Sequence, residues 1–296
     1  MSELIRPTRI PEWIKVRVHE GERYKELKKL VSERRLHTVC EEAGCPNIFD
    51  CWNRGTATFM ILGAVCTRAC RFCAVTSGKP TELDITEPLR VADSVAQLGL
   101  KHAVITSVDR DDLQDGGSEI FARTIRTIRR RSPGTSIEVL TPDFAGNKAA
   151  IKTVVEAGPD IYNHNTETVP RLYARIRPKA VYANSLELLR YVKELAPNML
   201  TKSGVMVGLG EEKEELIEVF GDMRRHEIDV LTVGQYLRPS RKHAEVARYY
   251  RPEEFVELKE AAIALGFQHV ESGALVRSSY HADEQIPAGR RSLLAG

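Results

Sequence analysis

From residue 58 onward the chain alternates short, continuously apolar runs with segments whose apolar residues recur at helical spacing. The apolar runs fall at 59–62, 103–106, 137–140, 160–162, 204–207 and 230–233. Unbroken runs of this kind suit strands of a parallel sheet covered on both faces. Leu89, Ala92, Val95 and Ala96 make one helical stripe, with Thr86 placed to cap it and Gly99 to stop it. Phe121, Ile125 and Ile128 make a second behind Ser118, and Pro133 and Gly134 follow it. Leu216, Val219, Phe220 and Met223 make a third. Pro252 opens a fourth that carries Phe255, Leu258, Ala262 and Leu265, with Gly266 as its stop. Strand, helix, strand, repeated about six times, predicts an α/β fold of right-handed βαβ units. Six units point to an incomplete barrel rather than the full eight, with function at the carboxyl ends of the strands.

The first 57 residues stand apart from this rhythm. Residues 6–15 hold two prolines and read as an extended arm. Tyr24, Leu27, Leu30 and Val31 then share one helical face, which predicts docking onto the main body. The expected organisation is an N-terminal extension (1–57), a barrel (58–270) and a C-terminal extension (271–296) whose last residues, 285–296, form a loose tail.

Composition narrows the class. Lys plus Arg is 43 and Asp plus Glu is 41, so the net charge of +2 selects no partner. No apolar stretch approaches the roughly 18–20 residues that a membrane span needs. The N-terminus lacks the apolar core of a secretory signal, so the expectation is a cytoplasmic protein with no membrane and no nucleic-acid partner. All six cysteines lie between Cys40 and Cys73. A secreted chain would spread them to staple distant segments, whereas this crowding reads as metal ligation.

The cysteines form two triplets. Cys66, Cys70 and Cys73 follow the first predicted strand as CxxxCxxC. Thiolates are the ligands of iron–sulfur clusters, and three of them leave one iron of a four-iron cluster open to another ligand. Zinc would ordinarily take four protein ligands, and a thioredoxin-like pair would leave Cys66 surplus. Cys40, Cys45 and Cys51 precede the barrel as Cx4Cx5C and again supply three thiolates. By spacing alone this second site could also be a structural cluster or a zinc knot that fixes the N-terminal arm. An electron carrier would normally complete each cluster with four cysteines.

CxxxCxxC with Phe72 before its last cysteine resembles the signature of the radical SAM superfamily. Cx4Cx5C, then 14 residues, then CxxxCxxC, with RSSYHA at 277–282, resembles the lipoyl synthase family over essentially the whole chain. Supporting runs are Glu41, Ala43, Cys45, Pro46 and Asn47, then TSVDRDDL at 106–113, NHNTET at 163–168, KSGVMVG at 202–208 and VGQYL at 233–237. The resemblance implies a partial (β/α)6 barrel with N- and C-terminal extensions over its mouth. It implies two 4Fe-4S clusters and S-adenosyl-L-methionine, bound at the open iron of the Cys66, Cys70 and Cys73 cluster and split there to a 5′-deoxyadenosyl radical. Cys40, Cys45 and Cys51, with Ser279 as a fourth and weaker ligand, would hold an auxiliary cluster that donates sulfur. The implied substrate is an octanoyl group on a lysine of a lipoyl carrier domain, such as a 2-oxoacid dehydrogenase E2 subunit or the glycine cleavage H protein. Sulfur would enter at C6 and C8, using two S-adenosylmethionine molecules. An electron donor such as ferredoxin or flavodoxin and an iron–sulfur carrier for cluster repair complete the implied partners.

Within this frame, Thr106, Ser107, Asn163, Asn165, Met206 and Phe72 are expected to contact the cofactor, and Arg277 to screen cluster charge. Without the resemblance, Ser278 and Ser279 would be read as an ordinary turn. The acidic run after Asp109 fails as a calcium loop, since Gln114 and Ile120 stand where Gly and Glu are needed. Arg123, Arg126, Arg129, Arg130 and Arg131 predict a solvated helix face or a dock for an acidic carrier.

Overall fold

A computed structural model describes residues 9–16, 19–34, 36–42 and 44–284. Ala43, residues 6–8 of the expected arm and the expected tail at 285–296 lie outside the described residues. The extension comprises α1 (Glu22–Glu33), β1 (His37–Thr38), α2 (Val39–Glu42) and α3 (Ile48–Arg54). The first barrel strand, β2 (Thr56–Ile61), is followed by a small parallel pair, β3 (Val65–Cys66) and β4 (Thr76–Ser77). Then come α4 (Glu87–Gln97), β5 (His102–Ser107), α5 (Ser118–Arg131), β6 (Ser136–Leu140), α6 (Lys148–Glu156) and β7 (Ile161–Asn163). After a short α7 (Tyr173–Ile176), the chain completes α8 (Tyr182–Leu195), β8 (Leu200–Val207), α9 (Lys213–Arg225), β9 (Val230–Gln235), α10 (Pro252–Ala264) and β10 (His269–Gly273).

The strands form one eight-stranded sheet in the order β1-β2-β5-β6-β7-β8-β9-β10. Every pairing is parallel except β1 with β2. The six expected strands are all present and adjacent, in the incomplete-barrel arrangement that the alternation predicted. β10 adds a seventh parallel strand, in register with β9 from His269↔Val230 to Gly273↔Gly234. Its sequence, HVESG, carries too few apolar residues to announce a strand, because its side chains are only partly buried. The expected limits at 57/58 and 270/271 fall inside β2 and β10.

The stripes behave as amphipathic faces should. Tyr24, Leu27, Leu30 and Val31 are buried on α1, and Leu216, Val219, Phe220 and Met223 on α9. Two expected caps are replaced. Thr86 makes no cap bond to α4; its hydroxyl donates to Asp84 instead, at 2.6 Å. At α5 the oxygen comes from Asp115, whose carboxylate accepts from the Gly117 and Glu119 N–H groups at 3.0 Å and from the Ser118 hydroxyl. Gly117, at φ 87°, makes the turn into the helix. Leu89 and Leu265, expected inside, are exposed. Along α4, Val91 takes the inward position instead.

The extension is part of the same core as the barrel. Tyr24 packs on Phe49 and Trp52 of α3, with ring centroids 4.9 and 5.3 Å apart. Residues 9–16 form no helix or strand, and Trp13 anchors them by donating from Nε1 to the Tyr250 carbonyl at 3.1 Å. After β10 the chain returns as a strap across the open side. Asn47 Nδ2 donates to the Leu275 carbonyl at 2.6 Å, His281 lies 3.6 Å from Asp50, and Arg54 pairs with Glu284. The strap crosses β9 at Gly234, where any Cβ would collide with the Val276 carbonyl.

Candidate active site at the barrel mouth

Parallel strands deliver their carboxyl ends to one side, and the loops there enclose a cavity of about 830 Å³. Both cysteine triplets line it, and so do Arg277, Ser278 and Ser279 of the strap. The sequence had separated these three groups into different segments. The fold brings them to one space.

The second triplet sits on the loop after β2. The β3–β4 ladder closes that loop into a ring, helped by the Gly78 N–H donating to the Cys66 carbonyl at 2.9 Å. Neighbouring loops hold it from outside. The Thr67 N–H donates to the Asp109 carbonyl at 3.0 Å, the Arg71 N–H to Ile176 at 2.9 Å, and the Ala244 N–H to Arg71 at 2.7 Å. His243 Nε2 lies 2.9 Å from the Cys73 carbonyl, so it is the protonated nitrogen. Two backbone N–H groups, of Arg68 and Asp109, point at Cys66 Sγ from 3.4 and 3.3 Å.

The first triplet is set by packing. α2 carries Cys40, and Gly44, at φ 56°, turns the chain so that the Cys45 N–H donates to the Cys40 carbonyl at 2.9 Å. α3 carries Cys51 beside the fully buried Trp52, and Gly55 ends that helix in the left-handed region. Cys40 and Cys51 are buried, whereas Cys45, Cys66, Cys70 and Cys73 are half-buried.

All six thiols are free of disulfides. Burial pushes Cys40 up to about 12, with Cys45 adding to the shift, and drives Cys51 upward as well. Burial also raises Cys45 and Cys66, and takes Cys70 to about 12 and Cys73 to about 11. Thiols in this state are protonated in the bare protein. Bound iron is the kind of local positive charge that removes such protons and offsets three crowded thiolates. Among the described residues no three His, Cys, Asp or Glu side chains converge enough to hold a single metal ion.

A polar ligand also fits. Ser107 Oγ, Asn165 Oδ1 and Arg177 Nε are buried without a hydrogen-bond partner, and all three residues line the cavity. Phe72, Thr106 and Met206 line it too. Asn163 does not. Asn163 is the last residue of β7 and its Nδ2 donates to Glu138 at 2.8 Å, whereas Asn165 lies in the loop beyond the strand. Glu138 also pairs with the fully buried Lys202 at 3.0 Å and lies 3.7 Å from His102. Burial works against the Glu138 charge, but Lys202, His102 and Asn163 hold it below the usual carboxylate range. This buried layer is the floor of the barrel, and Asn163 belongs to it rather than to the cavity lining.

His164 lines the cavity, but both of its ring nitrogens are engaged. Nδ1 lies 2.8 Å from the Thr141 carbonyl and Nε2 3.1 Å from Ser185 Oγ, and burial lowers its pKa to about 4. The arginines of α5 are largely used locally: Arg129 pairs with Asp160 at 2.5 Å and Arg131 with Asp93 at 3.5 Å. Arg277 is deep in the wall, its Nη1 donating to the Val276 carbonyl at 2.7 Å. Burial lowers its pKa, while Cys45 favours its charge.

Sequence reading missed two arginines that organise the Cys66–Cys73 loop. Arg68 is buried and gathers Asp109 at 3.2 Å, Asp111 at 2.8 Å and Asp143 at 2.6 Å. Burial alone would raise Asp143, but the Arg68 hydrogen bond overrides it and the carboxyl falls to about 2. This ionic cluster is what became of the acidic run. Arg177 donates to the Asn165 carbonyl at 3.0 Å. Burial opposes its charge, but Tyr173, Glu167 and Cys70 maintain it. Local spacing signals neither role, since the carboxylates of Arg68 lie more than 40 residues away and Cys70 lies far from Arg177 in the chain.

Known proteins resemble this chain along its whole length. A model of the radical SAM superfamily matches residues 60–223. A model of the N-terminal domain of lipoyl synthase of the radical SAM family matches residues 3–45. The lipoyl synthase of Rubrobacter xylanophilus is 61% identical over 284 residues, covering 96% of this chain and 88% of that protein. The lipoyl synthase of Oceanobacillus iheyensis is 58% identical over 287 residues, covering 97% and 91%. Among solved structures, methylornithine synthase aligns with a TM-score of 0.54 over 94% of this chain and 90% of that one. At 13% identity, that is a likeness of fold alone.

Proposed function

The chain belongs to the lipoyl synthase family of the radical SAM superfamily, and from that premise we propose how its two thiol triplets divide the work. The protein is a radical SAM sulfurtransferase that inserts sulfur into octanoyl groups. In the proposed division, Cys66, Cys70 and Cys73 hold the 4Fe-4S cluster that takes S-adenosylmethionine at its open iron. Cys40, Cys45 and Cys51, completed by Ser279, hold a second 4Fe-4S cluster as the sulfur source. The bound groups supply hydrogen-atom abstraction from unactivated carbon, at C6 and C8, and the sulfur that replaces each hydrogen.

The observation that carries this reading is the shared cavity. An octanoyl chain that reaches one triplet is already beside the other, within a volume that suits one small ligand site. Val39, Met60, Leu140, Leu237 and Val276 offer that chain an apolar wall. The backbone N–H groups of Arg68 and Asp109 steady the Cys66 thiolate, and Arg177 offsets negative charge beside Cys70. Ser107, Asn165 and Arg177 leave unsatisfied polar atoms for S-adenosylmethionine, with Phe72, Thr106 and Met206 around it. Arg277 places its guanidinium beside Cys45, where it counters the charge of a thiolate cluster.

No described helix is long and apolar enough to cross a membrane. A cytoplasmic site of action, an octanoylated E2 or H-protein carrier, a ferredoxin or flavodoxin donor, and an iron–sulfur carrier for repair belong to the same reading.

The test is the intact mass of an octanoylated carrier domain after incubation with anaerobically reconstituted protein, S-adenosylmethionine and dithionite. Wild type is expected to add two sulfur atoms. Cys40→Ala/Cys45→Ala/Cys51→Ala is expected to release 5′-deoxyadenosine and add none. Sulfur insertion by that variant would reverse the assignment of the triplets. Cleavage without insertion by wild type would remove the octanoyl carrier from the reading.

A further inference from the structure

The charge balance of the whole chain is nearly even, but two segments against the Cys66–Cys73 loop are not. Residues 171–179 hold four Arg or Lys and no acid, and residues 238–248 hold four and a single Glu. Some of this charge is already used. Arg171 pairs with Glu215, Arg248 with Glu254, and Arg177 is buried. Arg71, Arg175, Lys179, Arg241 and Lys242 are exposed, and Arg238 is half-buried. None of these six has an ion-pair partner among the described residues. Where they are bonded, it is to backbone carbonyls: Arg175 to Leu209 at 2.5 Å, Lys179 to Thr67 at 3.0 Å, and Arg238 to His243 at 3.0 Å. Such bonds fix the side chains while leaving their charge uncompensated.

These residues grip the loop of the second triplet from outside. Lys179 bonds the residue after Cys66, the Arg71 peptide bonds Ile176 and Ala244, and His243 bonds the Cys73 carbonyl. Of the six, Arg238 alone also lines the main cavity; Arg71, Arg175, Lys179, Arg241 and Lys242 do not. We propose that this basic face is the docking surface for an acidic one-electron donor protein. The inference rests on the radical SAM reading, which requires electrons from outside the chain. Each cleavage of S-adenosylmethionine consumes one electron: the donor is oxidised by one, and the sulfonium carbon–sulfur bond breaks as it is reduced by one. Two deliveries serve one octanoyl group. An electron needs only close approach to the loop that holds the cysteines, whereas an octanoyl chain needs the open cavity. A face beside the loop and off the cavity therefore suits a donor better than a carrier. Complementary charge raises the encounter rate of such a transient pair, and salt screens it.

The experiment uses reconstituted full-length protein with photoreduced flavodoxin as the acidic donor probe, and dithionite as the small-molecule control. Flavin reoxidation is followed in stopped flow, and flavodoxin binding is measured separately on cluster-free protein. For Arg241→Glu/Lys242→Glu, reoxidation and binding are each expected to weaken by about tenfold or more, as reversed charges at an interface do. The dithionite-driven rate and the affinity for octanoylated carrier should stay at wild-type levels. Arg123→Glu/Arg126→Glu on α5 should change none of these, and added salt should erase the difference between wild type and the first variant. An unchanged flavodoxin rate would overturn the proposal, and so would loss of carrier affinity in its place. Equal loss with both reductants, repeated in the milder Arg241→Gln/Lys242→Gln, would show a structural role and also overturn it. Failure of wild type to insert sulfur even with dithionite would instead count against the family-level reading.

Discussion

The two thiol triplets face one cavity but are held largely by different means, with only Cys45 of the first set by a main-chain bond on a half-buried turn. Cys40 and Cys51 sit on short helices, buried beside Trp52 and the ring stack of Tyr24 and Phe49. Cys66, Cys70 and Cys73 sit on a half-buried loop held by main-chain bonds, by His243 and by the ionic cluster around Arg68. Packing is non-directional and keeps a site together as a body. Hydrogen bonds and ion pairs are directional and aim individual atoms. A site that has only to present a cluster can be packed. In the proposed division, a site that leaves one position open for a cofactor gains from a loop fixed atom by atom, with its access kept clear.

That contrast can be broken at four levels. The largest effect is expected from Cys66→Ala/Cys70→Ala/Cys73→Ala, which should abolish 5′-deoxyadenosine release while the first triplet still binds iron. Chromatography of the nucleoside and iron analysis would test it, and cleavage persisting in this variant would erase the distinction between the sites.

Trp52→Ala removes the centre of the packed site and should cost about 3–5 kcal/mol of stability. Iron content should fall towards one cluster per chain while S-adenosylmethionine cleavage persists. Equal damage to both sites would mean that the extension and barrel fail together.

Arg68→Met should cost roughly 3 kcal/mol in denaturant unfolding at pH 7, because buried carboxylates lose their shared cation. In wild type, Asp143 titrates near 2, below its unfolded value of about 3.9. Its contribution is therefore complete above the unfolded value and is lost only as pH falls through about 2. Without Arg68, burial raises the same carboxyl, and the resulting cost fades as it protonates. The gap between variant and wild type should thus be smaller at pH 4 than at pH 7. A gap that widens on acidification would reject the ionic account of this loop.

The smallest effect belongs to Asn47→Ala, which removes one bond from the extension to the strap and should cost about 1 kcal/mol. Faster hydrogen exchange across residues 275–284, with the Cys66–Cys73 loop unchanged, would mark it as a local clasp.

Where chemistry follows from local spacing, the sequence was enough. The cysteine spacings, the RSSY run and the alternation of strands and helices carried the partial barrel and the family. Periodicity also placed the inward faces of α1 and α9, because burial on one face repeats with the helix. It failed where the deciding partner is remote. Asp115, not Ser118, supplies the capping oxygen at α5, and β10 carries too little apolar character to stand out. Asn163 and Asn165 look alike in the chain, and only the depth of each in the barrel assigns one to the floor and the other to the cavity wall. Arg68 and Arg177 acquire their meaning from carboxylates and thiols on other loops.

By itself, then, the sequence determined which thiols stand together and in what order they come along the chain, since spacing within a loop is a local constraint. That two triplets and a distant strap share one cavity, and that one triplet is packed while the other is wired, was decided by tertiary structure. Parallel strands gather their carboxyl ends regardless of their separation in the chain, and burial and charge compensation act through space between residues that no local pattern connects.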